Sequence, residues 1–529
     1  MPINTDISSA RFTRRVGLFT IGTLISRLLG VVRESVFAYL FGAGVTTDAF
    51  NVAFRIPNLF RDLFAESALS AAFIPTFVQS LRQGDEKKTW YFAANTFNAI
   101  LLVITTLVIA GIIFAPYIVK LVAWGYRPDF EKLSLTITLT RIMFPFLLFV
   151  ALAAWAMGIL NASGSFFTPA VAPAAFNILS ALFPLATYSI FTKLGHPEIL
   201  AMAYGVTIGA VCQFLIQLPR VRAFGFRYTL ALDFRDPQLR QVFRRWLPML
   251  LGLATWQVNF LINTFLLTFL PTGSITWVSY AYRIQHLPAG LFGVAIGTVA
   301  LAQLTHTATD KIDPDQFNHG LNLVAVLTIP AAVLLLVLAQ PLVRLLYEHG
   351  RFTPLDTRLT AQALALYSLG IFPAAATRNC ASGFYATGDT RTPTVVAIIV
   401  VTANILINLF LMRIIGFRSF PLTASLTQFL NFVLLYLLLT RSQPELFRRH
   451  TTSVFFRTLI AALIAGIATA LIAHTFEQLP FPTHFPLKLL ELLVTGTIGI
   501  FLYYVLARLL KIKEVSAVAL AFFQRLGQG

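Results

Sequence analysis

The sequence predicts an all-α polytopic membrane protein of about fourteen transmembrane helices, built as two pseudo-symmetric six-helix lobes plus two extra C-terminal helices. Three observations predict it. The chain of 529 residues is 57% hydrophobic and 12% charged, with a mean hydropathy of +0.75, far above that of a soluble globular protein. Apolar runs long enough to cross about 30 Å of hydrocarbon recur along its whole length. Two pairs of motifs repeat at one nearly constant offset.

The spanning elements are helices because stretches such as Ile100 to Ala115 and Leu459 to Ala473 are almost continuously apolar, whereas a barrel strand alternates apolar with polar residues. The basic start, with Arg11, Arg14 and Arg15, leads into a long charged span rather than a short apolar core with a cleavage site, so no cleaved signal peptide is expected. Cys212 and Cys380 fall in separate spans with no metal-ligand spacing around either.

"FRIPNLFRDLF" (54 to 64) overlays "YRIQHLPAGLF" (282 to 292), and "GILNASGSFFTP" (158 to 169) overlays "GFYATGDTRTP" (383 to 393), each of the latter leading to an Asn-Ile-Leu at 177 and 404. The offset covers an even number of helices, so the copies share an orientation and form a parallel repeat with substrate expected between the lobes. The expected units are a six-helix lobe at 1–222, a basic cytoplasmic linker at 223–240, a second lobe at 241–441, and two additional helices with a cytoplasmic tail at 442–529. The basic stretch from Arg220 to Arg245 is expected to be partly an interfacial helix.

The formal charge of +18 gathers in alternate loops. With the N-terminus inside, cytoplasmic loops carry roughly twice the Lys and Arg of external ones. This sets both termini in the cytoplasm and favours anionic membrane lipids over nucleic acid as the partner of that charge.

Charges also lie within spans. Arg27, Gly30 and Glu34 share one face of the first helix and Arg33 points elsewhere; Arg27 is about 18 Å from Arg15 along that helix, too deep for simple snorkelling. Gly30 is expected to leave open space beside Arg27. In the second span Asp48, Arg55, Asp62 and Glu66 follow at steps that form a stripe, with Arg61 off it and a kink at Pro57. Arg283 stands in the second copy at the place of Arg55, followed by His286 and Pro288, a second kink. Two readings stay open. The charges pair and fasten helices, or they line a hydrated cavity whose net positive charge holds an anion. A mid-membrane Arg or Asp costs about 2.5 to 3.5 kcal/mol on the lenient insertion scale, and guanidinium forks suit phosphate oxygens. His286 likewise reads as a substrate contact or as a helix-packing donor. No GxxxxGK[ST], HExxH or GxSxG occurs, so the chain is expected to be no enzyme and to need no cofactor or metal.

The stretches "SRLLGVVRES", "FGAGVTTDAFNVAFRIPNLFRDLFAESALSAAFIP" and "GFYATGDTRTP" closely resemble the MurJ (MviN) family, the lipid II flippases of bacterial cell-wall synthesis, within the multidrug/oligosaccharidyl-lipid/polysaccharide exporter superfamily. The resemblance runs through the whole chain. It implies that the family's essential cavity arginines fall on Arg27, Arg33, Arg61 and Arg283 and its first-loop aspartate on Asp48, with Glu34, Arg55, Asp62, Glu66 and His286 as cavity and gate candidates. It implies lipid II as substrate, moved by alternating access across the bacterial cytoplasmic (inner) membrane, cell-wall synthases as possible company, and a groove for the undecaprenyl tail on the last two helices. The residue before Arg283, often acidic in relatives, is Tyr282 here, and spans seven to twelve hold no clear mid-membrane carboxylate for a cation. Membrane potential, worth about 2.3 kcal/mol per charge per 100 mV, is the simpler driving force. A flippase for another polyprenyl-linked glycan, a drug antiporter of the same fold, and a non-transporting scaffold are the rival readings.

Overall fold

The computed structural model describes residues 9–63, 67–288, 312–478 and 485–516. Among them every regular element is helical. Nine helices, counted over the described residues, are each long and apolar enough to cross a membrane. Glu66, one of the charges expected in the second span, lies outside the described residues.

The helices are punctuated by the residues that physics favours at such places. Asp85 caps Glu86–Val122, Asp129 caps Phe130–Met143, Asp236 caps Pro237–Leu267 and Asp313 caps Pro314–Val337, each through a side-chain oxygen on an amide of the first turn. Such a cap satisfies N–H groups that have no partner inside the helix. Proline opens the helices at 237 and 314, where its missing N–H costs nothing.

Two compact units result. The first comprises residues 1–275 with 349–352. Its helices are α1 (Ser9–Phe41), α2 (Val45–Arg61), α3 (Ser67–Arg82), α4 (Glu86–Val122), α5 (Phe130–Met143), α6 (Phe146–Ala162), α7 (Phe167–Lys193), α8 (Ile199–Leu215), α9 (Leu218–Ala223) and α10 (Pro237–Leu267). α7 packs along α8 and α1, α2 along α5, and α3 against α6 and α10. Trp155, Phe73, Phe77, Phe92, Phe144 and Phe146 are fully buried at its centre. α2 continues through Pro57 to Arg61 and opens at Asp62 into a π turn.

The second unit comprises residues 276–348 and 353–529. It holds nearly all of α11 (Ser274–Pro288), then α12 (Pro314–Val337), α13 (Ala339–Tyr347), α14 (Pro354–Ser368), α15 (Ile371–Ala386), α16 (Arg391–Ile415), α17 (Ser419–Ser442), α18 (Arg449–Gln478) and α19 (Phe485–Leu509). Pro288 is the closing residue of α11. α12 is the hub, lying against α15 and α18, while α17 packs on α15 and α16.

α18 and α19, the unrepeated pair, are fitted closely to this hub. A Cβ on Gly466 would lie 2.4 Å from Val333 Cγ1, and one on Gly499 2.6 Å from Leu334 Cδ2 and from Thr469 Oγ1. Small residues let helices approach where lipid provides no hydrophobic drive for association. Polar contacts add to it: the Tyr503 hydroxyl donates to the Val326 carbonyl at 3.0 Å, and the Thr451 hydroxyl to Asn318 Oδ1 at 2.7 Å. Asn322 donates to Glu514 Oε1 at 2.9 Å.

The internal repeat is visible in local geometry. α6 ends in a left-handed Gly164, with Gly164 N–H on Asn161 O and Ser165 N–H on Leu160 O at 2.8 Å. α15 ends in a left-handed Gly388, with Gly388 N–H on Tyr385 O and Asp389 N–H on Phe384 O at 2.9 Å. Both are Schellman turns, in which a residue without Cβ accepts the positive φ. Each is followed two residues on by a helix with Thr-Pro in its first turn.

The basic linker is helical only at its ends. α9 is short, and residues 226–233 form an irregular strap before α10 begins, with a tight turn in which Ala231 N–H donates to Thr229 O at 2.9 Å. Asn98 Nδ2 donates to the carbonyls of Thr229 and Ala231, and Asn95 exchanges hydrogen bonds with the Asp233 backbone. These side-chain amides on α4 replace the hydrogen bonds that a helix would have supplied.

Candidate functional site

The in-span charges of the first unit fall into four settings. Arg27 is exposed on α1, and among the described residues nothing pairs with it. The space beside Gly30 is not open, contrary to expectation. The Asn177 amide of α7 stands 3.5 Å from where a Cβ would be, and Asn177 Nδ2 donates to Ser26 O at 2.9 Å. The missing side chain thus serves helix contact rather than a cavity.

Arg33 is half-buried and forms an ion pair through Nη2 with Oε1 of its neighbour Glu34, which is buried. The Phe176 ring of α7 lies 5.2 Å from its guanidinium carbon. Arg61 repeats the arrangement on α2: Nε and Nη2 both reach Asp62 Oδ1, at 3.1 and 2.8 Å. The second oxygen of Asp62 accepts from Gln257 Nε2 on α10 at 3.2 Å. The pair sits where α2 gives way to the π turn at Asp62.

Arg55 stacks on aromatic carbon, with its guanidinium carbon 3.3 Å from the centre of the Phe260 ring on α10. The negative face of the ring supplies the attraction.

Asp48 departs most from the expected cavity stripe. It is 1% exposed. Oδ2 accepts from Lys132 Nζ at 3.3 Å and from Gly273 N–H at 2.7 Å. Lys132, itself buried, also lies 4.2 Å from the Tyr126 ring. This pair joins α2 to α5 and to the turn after α10.

The fastening reading is realised at one of these pairs. Asp48 and Lys132 fasten one helix to another. Arg33–Glu34 and Arg61–Asp62 are sequence neighbours on one helix, so neither ion pair ties two helices together. In a site of low dielectric a carboxylate beside a guanidinium lowers the cost of keeping it charged.

In the second unit Arg283 is half-buried on α11, 5.9 Å from the Tyr280 ring, and the Tyr280 ring lies tilted against that of Tyr347, centres 4.4 Å apart. His286 is exposed; Nδ1 is 3.2 Å from the Tyr282 carbonyl and 3.1 Å from Gln285 Oε1, and its ring centre is 4.0 Å from that of Tyr282. Sequence reasoning missed Lys132, Gln257, Phe260 and Gly273. Lys132 was recoverable in part, as a basic residue in the first turn of a helix, where the dipole disfavours it unless an acid is near.

These arrangements can be set beside known proteins. The family model for "Lipid II flippase MurJ" matches residues 37–491. The chain belongs to the MurJ family. The "Probable lipid II flippase MurJ" of Vibrio cholerae is 35% identical over 425 residues, 78% of this chain and 80% of that one. The protein of the same name from Bdellovibrio bacteriovorus is 32% identical over 511 residues, 95% of each chain. A solved structure, "Lipid II flippase MurJ, inward closed conformation", is 26% identical with a TM-score of 0.76, covering 93% of this chain and 98% of its own. A multidrug resistance transporter of the MOP superfamily in an inward-facing conformation is 12% identical with a TM-score of 0.64, over 82% of this chain and 98% of its own. This last likeness concerns the fold alone. As a MurJ-family member the chain is a multi-pass membrane protein.

Proposed function

We propose that the chain is a lipid II flippase, moving the undecaprenyl-pyrophosphate-linked peptidoglycan precursor from the inner to the outer leaflet of the bacterial cytoplasmic membrane by alternating access. The observation that carries this reading is family membership over residues 37–491. The chemistry agrees with it. Arg27, Arg33, Arg61 and Arg283 are the residues proposed to receive the pyrophosphate, because guanidinium forks match its oxygens. Glu34 and Asp62 orient two of them.

The remaining proposals complete the picture: fourteen spans with both termini cytoplasmic, repeat lobes at 1–222 and 241–441 joined by a linker at 223–240, and an added pair at 442–529 that takes the polyprenyl tail. Anionic lipids surround the basic loops, and cell-wall synthases receive the product. Membrane potential drives the cycle, because it acts on any charge moved.

The experiment is a headgroup-translocation assay with purified protein in liposomes carrying lipid II, with and without an imposed potential, and Arg61→Ala as control. Translocation by wild type alone is expected. Failure of folded wild-type protein to translocate in either condition, or full activity of Arg61→Ala, overturns the reading.

A further inference from the structure

The irregular strap 226–234 has an outer surface that transport does not explain. Asn98 and Asn95 hold its backbone on α4, and Ala231 is turned inward. Tyr228, Leu230, Leu232 and Phe234 stand outward, Leu230 89% exposed. The exposure of these four gives the strap an apolar edge.

The position of that edge in the membrane follows from α4. From Ala99 to Val119 this helix carries no charged or amide side chain; Asn98 precedes the run and Lys120 ends it. The distance from Asn98 to Lys120 is about 33 Å at 1.5 Å per residue, close to the thickness of the hydrocarbon core. Asn98 therefore marks the level where hydrocarbon gives way to headgroups, and the strap lies along that level. Trp90, Phe97, Trp155 and Phe226 gather beside it, with Phe97 edge-on to Tyr228 at 5.9 Å and Trp155 edge-on to Phe226 at 5.0 Å. Aromatic side chains favour this depth.

A pocket of about 550 Å³ opens between strap and helices, walled by Phe97, Phe214, Phe226 and Tyr228 and edged by Arg222 and Arg227. Both arginines are exposed, and among the described residues neither is in an ion pair. The nearby carboxylates are engaged elsewhere: Asp233 accepts from the Arg235 amide, and Asp236 caps α10 and holds Asn95. Positive charge above an aromatic wall, at the headgroup level, matches one occupant. We propose that this pocket binds an anionic glycerophospholipid, with Arg222 and Arg227 on the phosphate and the acyl chains along Phe97, Phe214 and the apolar edge of the strap. The site is separate from the proposed pyrophosphate arginines, so it stands or falls independently of the transport reading.

The test uses the full-length protein released from detergent in native mass spectrometry, titrated with phosphatidylglycerol or phosphatidylcholine. Wild type is expected to prefer phosphatidylglycerol. A basic residue near such a headgroup contributes about fivefold in affinity, so Arg222→Gln with Arg227→Gln should weaken phosphatidylglycerol binding by about thirtyfold and leave phosphatidylcholine unchanged. Arg448→Gln with Arg449→Gln, removing an equal charge from another loop, should change neither. Leu230→Ser with Leu232→Ser provides a second probe that spares the arginines and is expected to weaken retention of both lipids. Unchanged phosphatidylglycerol binding in the arginine variant overturns the proposal. So does equal loss in the Arg448/Arg449 control, which would mean diffuse charge, or full displacement by soluble glycerol phosphate or an acidic peptide, which would mean a site for another ligand.

Discussion

Arg61 is gripped by its own neighbour: one oxygen of Asp62 receives both its Nε and its Nη2. The other oxygen of that carboxylate is held from α10 by Gln257. A guanidinium held at two nitrogens loses less freedom when it meets a further anion.

From this chain of contacts, Gln257→Leu should reduce lipid II binding by about three- to tenfold, the range expected for one lost hydrogen bond to a charged group that is partly open to water. Expression and melting temperature should hardly change. Titration of lipid II against the purified variant measures it; unchanged affinity would mean that Asp62 needs no support from α10.

The Asp48–Lys132 pair behaves differently because both groups are buried. Lys132→Met removes the compensating charge and should lower stability by about 3 kcal/mol. Asp48→Asn combined with Lys132→Met should recover most of that loss. Thermal unfolding in detergent tests both, and additive losses in the double variant would rule out direct coupling.

At the close contacts of the C-terminal pair, Gly466→Leu should destabilise by about 1 to 3 kcal/mol through overpacking against Val333. Gly496→Leu is the matched control, since the nearest atom to its Cβ, Leu338 Cδ1, is 3.9 Å away. Equal melting temperatures for the two variants would contradict the packing described.

Two loop carboxylates carry a pH signature. The Thr392 hydroxyl and amide hold Asp389 below the usual carboxylate range, and the Lys88 amide does the same for Asp85. A depressed folded value gives stability that is present above the unfolded value, near pH 4, and fades as pH falls through the lower, folded one. Asp389→Asn with Asp85→Asn should therefore flatten the acid limb of a melting-temperature profile while leaving its neutral region level. A steeper acid limb in the double variant would reverse the assignment.

Much of this molecule is legible in the sequence, because hydropathy and helix punctuation are local properties. The apolar runs became helices, and the aligned Gly164 and Gly388 became the same turn. Partners distant in the chain were not legible. Nothing around Asp48 announces Lys132, and nothing in the strap announces Asn95 and Asn98, whose amides make a non-helical path cheaper than a helix there. Periodicity also gave no sign of the π turn that follows Arg61.

The fit of α18 and α19 to α12 bears on how this architecture can change over time. A pair of helices added to a repeated core begins as a removable accessory. Here its removal after Ser442 would take Thr451 from Asn318 and Glu514 from Asn322 and uncover Val333 and Leu334. Descendants of such a chain inherit the accessory whether or not they still use it, because the core has come to depend on its cover.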